Sequence, residues 1–388
     1  MNVIRVIGLM LIVLLFSACS GDSESESSET KQPTVISVYV FSPNNPIITR
    51  ADVGPVAPIE NPENENEGKI TKLQIWVFKT GTNELIAYYS PESVTNLNGE
   101  NATGATYQLS VSEAFAQAST KPQVDVYVVA NITNITAANS DITLNESTKR
   151  SDLEAALIEG DHFGLNTLTD KVPDAGLPMS GVQRGVTVSG SSPVYKLPDR
   201  VVLTRAVSKI RFVFCREEGQ EDKKVQIKSV KLKKWMIPIK ESLFLGADPN
   251  VYEAESDETK EFVVGDNLVE YLEDISKSAD PLKYVYQSQD AQEYETLIAR
   301  GVADDELKQL GPYYLRESDK LLEGSITYQK EGEEVAKKDY KMAAAGDFSR
   351  NHTWIVYAYY SKSGLVAVTV VVKNWDDPTE KSHEVYNW

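Results

Sequence analysis

The stretch Val35–Phe41, VISVYVF within TVISVYVF, has almost no polar face. Side chains alternate along a strand, so Val35, Ser37, Tyr39 and Phe41 point one way and Ile36, Val38 and Val40 the other. Such a strand is expected to be covered on both sides. Pro43, Asn44, Asn45 and Pro46 break it, and Ile47–Thr49 lead to Arg50. Prolines at 55, 58 and 62 and the acids Glu60, Glu63, Glu65 and Glu67 are expected to keep the following segment exposed. An exposed Arg50-Ala51 bond is a substrate for an arginine-specific protease, and cleavage there would separate Val35, Ile36, Val38, Val40 and Phe41 from the rest of the chain; an ordinary loop arginine is the alternative.

The amino end supports export. Asn2 and Arg5 precede an uncharged apolar run, Val6–Phe16, with the size of a signal-peptide core. The run ends in Leu15-Phe16-Ser17-Ala18-Cys19, which resembles the bacterial lipobox, whose cysteine is acylated and becomes the first residue; Phe16 departs from the usual aliphatic residue. A plain secretory cut near Ala18 is the alternative. The polar, acidic Ser20–Gln32 stretch has too little apolar surface to fold, and it resembles signals that send lipoproteins to the outer face of the outer membrane.

At 388 residues the chain exceeds one ordinary core, and length suggests two domains. Short runs of Val, Ile, Thr and Tyr divided by Gly, Pro, Asn and Asp favour an all-β sandwich class with minor helices. A formal charge of −18 argues against nucleic acid as partner. Residues 1–50 hold three basic and four acidic groups, so the chain from Ala51 carries −18 + 1 = −17. With Cys19 acylated, Cys215 has no cysteine partner in the chain.

Lys69–Lys79 reads as a half-buried strand, paired through Gly81-Thr82-Asn83 with Leu85–Tyr89 as a hairpin. Tyr107–Val111 and Val124–Ala130 read as further strands, the latter central. Ser151 with Glu154 suggests a capping box on a short helix. Leu177–Gly181 and Val186–Val188 precede an expected turn region, Pro193–Asp199. Val201–Phe214 opens a second strand-rich block, in which lysines of Lys223–Lys240 alternate with Val225, Ile227, Val230 and Leu232 as on a solvated strand face. Glu253–Glu261 reads as an acidic loop without calcium-loop spacing. Ala291–Leu310 reads as helix or helical loop, an insertion near the surface; Ser325–Gln329, Asn351–Tyr360 and Leu365–Trp375 read as strands, the last expected to be covered on both faces.

The order of lipobox, apolar strand, Arg50-Ala51, KITKLQIWVF, VYVVANIT, LPMSG and LTRAVSKIRFVF resembles the fimbrillin family, the type V pilins of Gram-negative anaerobes. The resemblance implies two tandem Greek-key, transthyretin-like β-sandwich domains at 51–200 and 201–388, after a signal peptide and lipobox at 1–19 and a tether with removable strand at 20–50. It implies a cell-surface fimbrial subunit, made as an outer-membrane lipoprotein precursor carrying palmitate, cut by an arginine-specific protease and polymerised head to tail with its own copies and accessory subunits, supporting adhesion and biofilm formation. The donor strand it implies is about 376–388, with His383, Val385, Tyr386 and Trp388; whether Leu365–Trp375 joins it stays open. Asp376–Trp388 spans at most about 43 Å at ~3.3 Å per residue, enough to reach a neighbour. An ordinary edge strand folded back on its own domain is the alternative for this tail.

The sequence supplies no catalytic, cofactor or metal motif: His162, His352 and His383 stand in unrelated segments, and HExxH, CxxC and GxSxG are missing. Cys215 reads as a small core residue. The rival readings are a fimbrial anchor, a tip accessory subunit, or a monomeric surface lipoprotein binding glycan or host protein through Trp76, Trp235 or Trp354.

Overall fold

The computed structural model describes residues 33–41, 67–94, 97, 104–159, 172–216, 225–244, 250–262, 308–320, 322–330, 332–342, 350–361 and 364–374. The chain forms two compact units, Met1–Pro33 and Thr34–Trp388, and the architecture below is that of the second. Its strands begin with β1 (Val35–Phe41), β2 (Leu73–Lys79), β3 (Leu85–Tyr89), β4 (Ala105–Ser110), β5 (Val124–Ala130), β6 (Asn134–Ala137), β7 (Ser140–Thr143) and β8 (Leu157–Glu159). They continue with β9 (Met179–Val186), β10 (Ser189–Ser191), β11 (Val194–Lys196), β12 (Val201–Val202), β13 (Thr204–Arg205), β14 (Ser208–Arg216) and β15 (Val225–Lys233). The last are β16 (Lys240–Ser242), β17 (Thr259–Phe262), β18 (Lys308–Leu315), β19 (Leu322–Lys330), β20 (Val335–Met342), β21 (His352–Ser361) and β22 (Gly364–Asn374), and two short helices, α1 (Glu113–Gln117) and α2 (Arg150–Glu154), interrupt the series.

Among the described residues the strands form five sheets. The first runs β10-β11-β1-β12, with β4 also on β1; the second runs β13-β9-β5-β2-β3. Ile36, Val38 and Val40 pack with Ile75, Val77, Val126 and Val128 in the core these two sheets share. The other face of the second sheet, Trp76, Phe78, Tyr127 and Val129, is covered by Ile135, Leu153, Ile158, Leu243, Phe244 and Tyr314. Strand β2 is therefore buried on both faces, where alternation suggested burial on one, because a third layer lies over it. That layer includes the sheet β16-β8-β6-β7. The remaining sheets, β18-β14-β21-β22 and β17-β15-β19-β20, contribute Phe212, Trp354 and Val356 from one side and Val230, Leu232 and Ile326 from the other to their own core.

The elements follow local chemistry, with some departures from the sequence reading. Strands β2 and β3 pair antiparallel through a turn whose Gly81 has φ +73°, as expected of that hairpin. Helix α2 is capped two residues earlier than expected: the Asp152 carboxylate accepts the Lys149 N–H at 3.1 Å, while Ser151 donates its N–H to Asn83 Oδ1 at 2.9 Å. Glu154 is taken instead by Arg184 and by the Tyr127 hydroxyl. Helix α1 has no counterpart in the sequence reading; Ser112 caps it and Phe115 is its buried residue. The expected turn at Pro193–Asp199 contains β11, and the expected helix at Ala291–Leu310 ends in strand, because Lys308–Leu310 begin β18; residues 291–307 lie outside the described residues. Strand β22 lies at an edge of its sheet with β21 as its partner among the described residues, and its side chains and that of Cys215 lie outside the description.

The lysine stripe on and after β15 is neutralised from within. Lys233 meets Glu323 at 2.7 Å, Lys234 meets Glu253 at 2.9 Å, and Lys231 meets Glu261 at 4.0 Å. The acidic stretch around Glu253–Glu261 thus supplies counter-ions to a solvated strand face.

One buried carboxyl makes stability pH-dependent. Glu241 on β16 is fully buried and accepts the Glu317 N–H at 2.8 Å. Burial pushes its carboxyl from 4.5 up to about 8, against the opposing pull of Arg350 and Arg316. A raised folded-state pKa gives stability that is complete below the unfolded value and is lost as pH rises through the folded one. Urea denaturation across pH is expected to show the wild type losing stability between about pH 4.5 and pH 8 relative to Glu241→Gln; parallel pH profiles would refute this.

Candidate functional site: a strand seated in a slot

Strand β1 lies inside its sheet. On one side it pairs antiparallel with β4, from Val35↔Ser110 to Val40↔Ala105. On the other it pairs parallel with β11 through Val35–Ser37 and with β12 through Val40 and Phe41. The ladder continues past the strand ends, where Val35 donates its N–H to Pro193 O at 2.8 Å, Val111 donates to Thr34 O at 3.1 Å and Leu203 donates to Phe41 O at 3.0 Å.

Its inner face is apolar and sealed. Ile36, Val38 and Val40 are each 0% exposed. At ~1.5–3 kcal/mol per side chain their burial is worth about 5–9 kcal/mol before ordering entropy is subtracted. The outer face differs from the two-sided cover the sequence suggested: Tyr39 is 37% exposed, and Val35, Ser37 and Phe41 are half-buried. No further layer covers this face among the described residues, so Val35 and Phe41 gain only partial burial.

Two features read the outer aromatics. Tyr39 lies against Gly104, where an added Cβ would stand 2.8 Å from the Tyr39 hydroxyl oxygen and 2.6 Å from Val40 O. Gly104 also has φ +142°, a backbone state that side chains oppose. Phe41 lies under the exposed Arg200, whose guanidinium carbon is 4.2 Å from the ring centroid.

The walls have supports of their own. Tyr195 of β11 meets Phe115 edge-on at 5.7 Å. The Lys121 ammonium sits 5.2 Å from both ring centroids and donates to Phe115 O, Ala116 O and Ala118 O at 2.7, 3.0 and 2.7 Å. On the β12 side, Val202 O lies so close to Gly181 that a Cβ there would approach it to 2.4 Å. The partner strand on the remaining wall, β4, carries Tyr107, whose ring lies 5.9 Å from Tyr89 of β3.

The chain is pinned again where it returns after residues 42–66. Glu67, expected to be exposed with the neighbouring acids, is 1% exposed and pairs with Lys209 at 3.3 Å. The Tyr314 hydroxyl also donates to its carboxylate, and Arg205 Nε donates to Glu67 O at 3.1 Å. Asn131, at φ +66°, extends the clamp: its amide donates to Lys69 O and Leu177 O at 2.7 Å each, and its Oδ1 accepts the Thr71 N–H at 2.9 Å. The sequence signal for this pin is Lys209, a lysine inside the apolar run around Val207 and Ile210, which requires a buried carboxylate.

Cys19, Arg50, Ala51, His383, Val385, Tyr386 and Trp388 lie outside the described residues, as do His162 and the 42–66 segment. Val35, Ile36, Val38, Val40 and Phe41 all lie in β1. Trp76 and Trp354, offered above as ligand-binding aromatics, are 0% exposed and belong to cores. Trp235 is half-buried, with the Lys320 ammonium 4.7 Å from its ring.

Residues 57–233 match the family described as "Major fimbrial subunit protein (FimA)", in agreement with the resemblance carried by the sequence. That family is one of structural fimbrial subunits and not of enzymes. Curated proteins give no match. The chain is similar to the solved structure of a fimbrial assembly protein from Parabacteroides distasonis, at 14% identity and TM-score 0.44, covering 92% of this chain and 99% of that one. A fimbrilin from Porphyromonas gingivalis matches at 10% identity and TM-score 0.44, covering 92% and 96%. The tip fimbrial protein Mfa3 from Porphyromonas gingivalis matches at 13% identity and TM-score 0.38, covering 92% and 99%. With scores of this size, the fold rests on the strand pairing described above.

Replacing Lys209 by Met leaves the Glu67 carboxylate buried without its ammonium. Chemical denaturation is expected to show a loss of about 3–5 kcal/mol, partly recovered in Glu67→Gln/Lys209→Met. A loss unchanged in the double variant would show that the charge pair is not what Lys209 contributes.

Proposed function

On the premise that residues 57–233 match the major fimbrial subunit family, we propose that this protein is a fimbrial stalk subunit activated by removal of β1. The precursor is exported, acylated at Cys19 and held at the outer membrane. An arginine-specific protease cuts between Arg50 and Ala51. Strand β1 then leaves with the lipid, and the slot between β4 and β11–β12 opens with unpaired backbone groups and three vacated aliphatic positions. A strand edge so exposed is a template for another strand. The C-terminal segment at about 376–388 of a neighbouring copy fills it. Head-to-tail contacts of this kind do not close on themselves and yield a filament. Residues 51–200 and 201–388 act as its two sandwich domains, accessory subunits complete it, and the filament supports adhesion and biofilm formation.

The observation that carries this reading is the position of β1: inside a sheet, paired on both edges, yet followed in sequence by the candidate cleavage bond Arg50-Ala51 before the chain is pinned at Glu67. Neither feature requires β1 to stay covalently attached for the walls to persist. Support for a structural role, as opposed to ligand binding by exposed tryptophans, comes from the burial of Trp76 and Trp354.

Mass spectrometry of the chain sheared from the cell surface is expected to give Ala51 as its first residue, and deletion of Lys381–Trp388 is expected to leave cleaved monomers. A cell-bound chain beginning at acylated Cys19 would overturn proteolytic activation.

A further inference from the structure

We infer that Gly104 and Arg200 set the register of an incoming strand by reading an aromatic-x-aromatic pair on its outer face, and that Tyr386 and Trp388 of a second copy are that pair. This rests on the strand-exchange reading above and specifies where the strand sits.

Strand β1 presents Tyr39 to the Gly104 shelf and Phe41 to the Arg200 guanidinium, two residues apart on one face. Between and before them, Val38 and Val40 point inward. The sequence Val38-Tyr39-Val40-Phe41 has a counterpart in Val385-Tyr386-Asn387-Trp388, with Val and Tyr shared and an aromatic residue closing both. Laid in the direction of β1, the tail places Tyr386 on Gly104, Trp388 under Arg200 and Val385 in the position of Val38. A shift by one residue turns both aromatics inward, and a shift by two leaves Arg200 or Gly104 without its ring. Tryptophan is the strongest ring partner for a cation, and Arg200 is exposed with no carboxylate paired to it among the described residues.

The same alignment sets the order of events. His383 and Asn387 stand where β1 has Ile36 and Val40, so the tail buries less apolar surface than β1 does. It takes the slot only after β1 has been cut free. The aromatic pair therefore carries more of the recognition in the exchanged state than in the precursor.

The test uses full-length chains in a Cys215→Ser background, cleaved after Arg50. Copies bearing Gln108→Cys, opposite Ser37 in the ladder, are mixed with copies bearing Glu384→Cys or Ser382→Cys, and linked peptides are identified by mass. The 108–384 disulfide is expected and the 108–382 disulfide is not; equal or preferred linkage to 382 overturns the register. In parallel, Arg200→Ala is expected to slow assembly on the order of 2- to 5-fold with the native tail and to leave the rate with a Trp388→Ala tail unchanged. An equal effect on both tails overturns the role of Arg200 while leaving strand exchange standing. If cleaved copies associate with no tail at all, strand exchange itself fails and this inference falls with it.

Discussion

The backbone of β1 is hydrogen-bonded on both edges, and the N-terminal half of the molecule is arranged around that fact. The strands flanking it come from distant parts of the chain, β4 at Ala105–Ser110 and β11–β12 between Val194 and Val202. They meet through β1, since neither side pairs with the other. β1 does not hold the walls alone. Lys121, clamped between helix carbonyls and two rings, fixes β11 through Tyr195, and the close approach at Gly181 fixes β12. The walls are tied to the second sheet and to α1, so the slot has a shape that does not derive solely from its occupant.

β1 and Glu67 are held by different kinds of interaction. Among the described residues before Glu67, β1 is held by backbone ladders and apolar packing, whereas Glu67 itself is locked by Lys209, Tyr314 and Arg205. Those partners belong to β13, β14 and β18, so the pin ties the returning chain to strands far along the sequence. The middle core does the same on a larger scale: Trp76, Phe78 and Tyr127 from the N-terminal half pack with Ala206, Val207, Leu243, Phe244 and Tyr314. A buried charge pair is a poor source of net stability but a strict one of geometry, because either partner alone is costly. Its place directly after the 42–66 segment suits that role.

Much of this was legible in the sequence, and the parts that were not share a physical cause. Val35–Phe41 and Val124–Ala130 announce themselves because long apolar alternation has few other outcomes. Strands β11 and β12 do not, since three- and two-residue strands beside Pro193 and Pro198 carry no periodicity and exist through pairing with β1. Glu67 was hidden by its acidic neighbours, and its burial depends on a lysine 142 residues away. The two-sided burial of β2 was likewise invisible, because the layer that covers its second face is contributed by Leu243, Phe244 and Tyr314. The outer face of β1 misled in the opposite sense: Tyr39 and Phe41 are apolar enough to suggest a covering layer, yet a glycine and an arginine suffice as their partners.

The way β1 is paired also has a mechanical meaning. It runs antiparallel to β4 over six consecutive register positions and parallel to β11 and β12 at its two ends. A strand held along both edges and pulled lengthwise cannot peel away one bond at a time. Its ladders carry the load in shear, and they must yield nearly together. A strand drawn sideways out of the sheet meets no such resistance. The slot therefore grips along one axis and yields across another, and a load along β1 falls on the whole ladder at once.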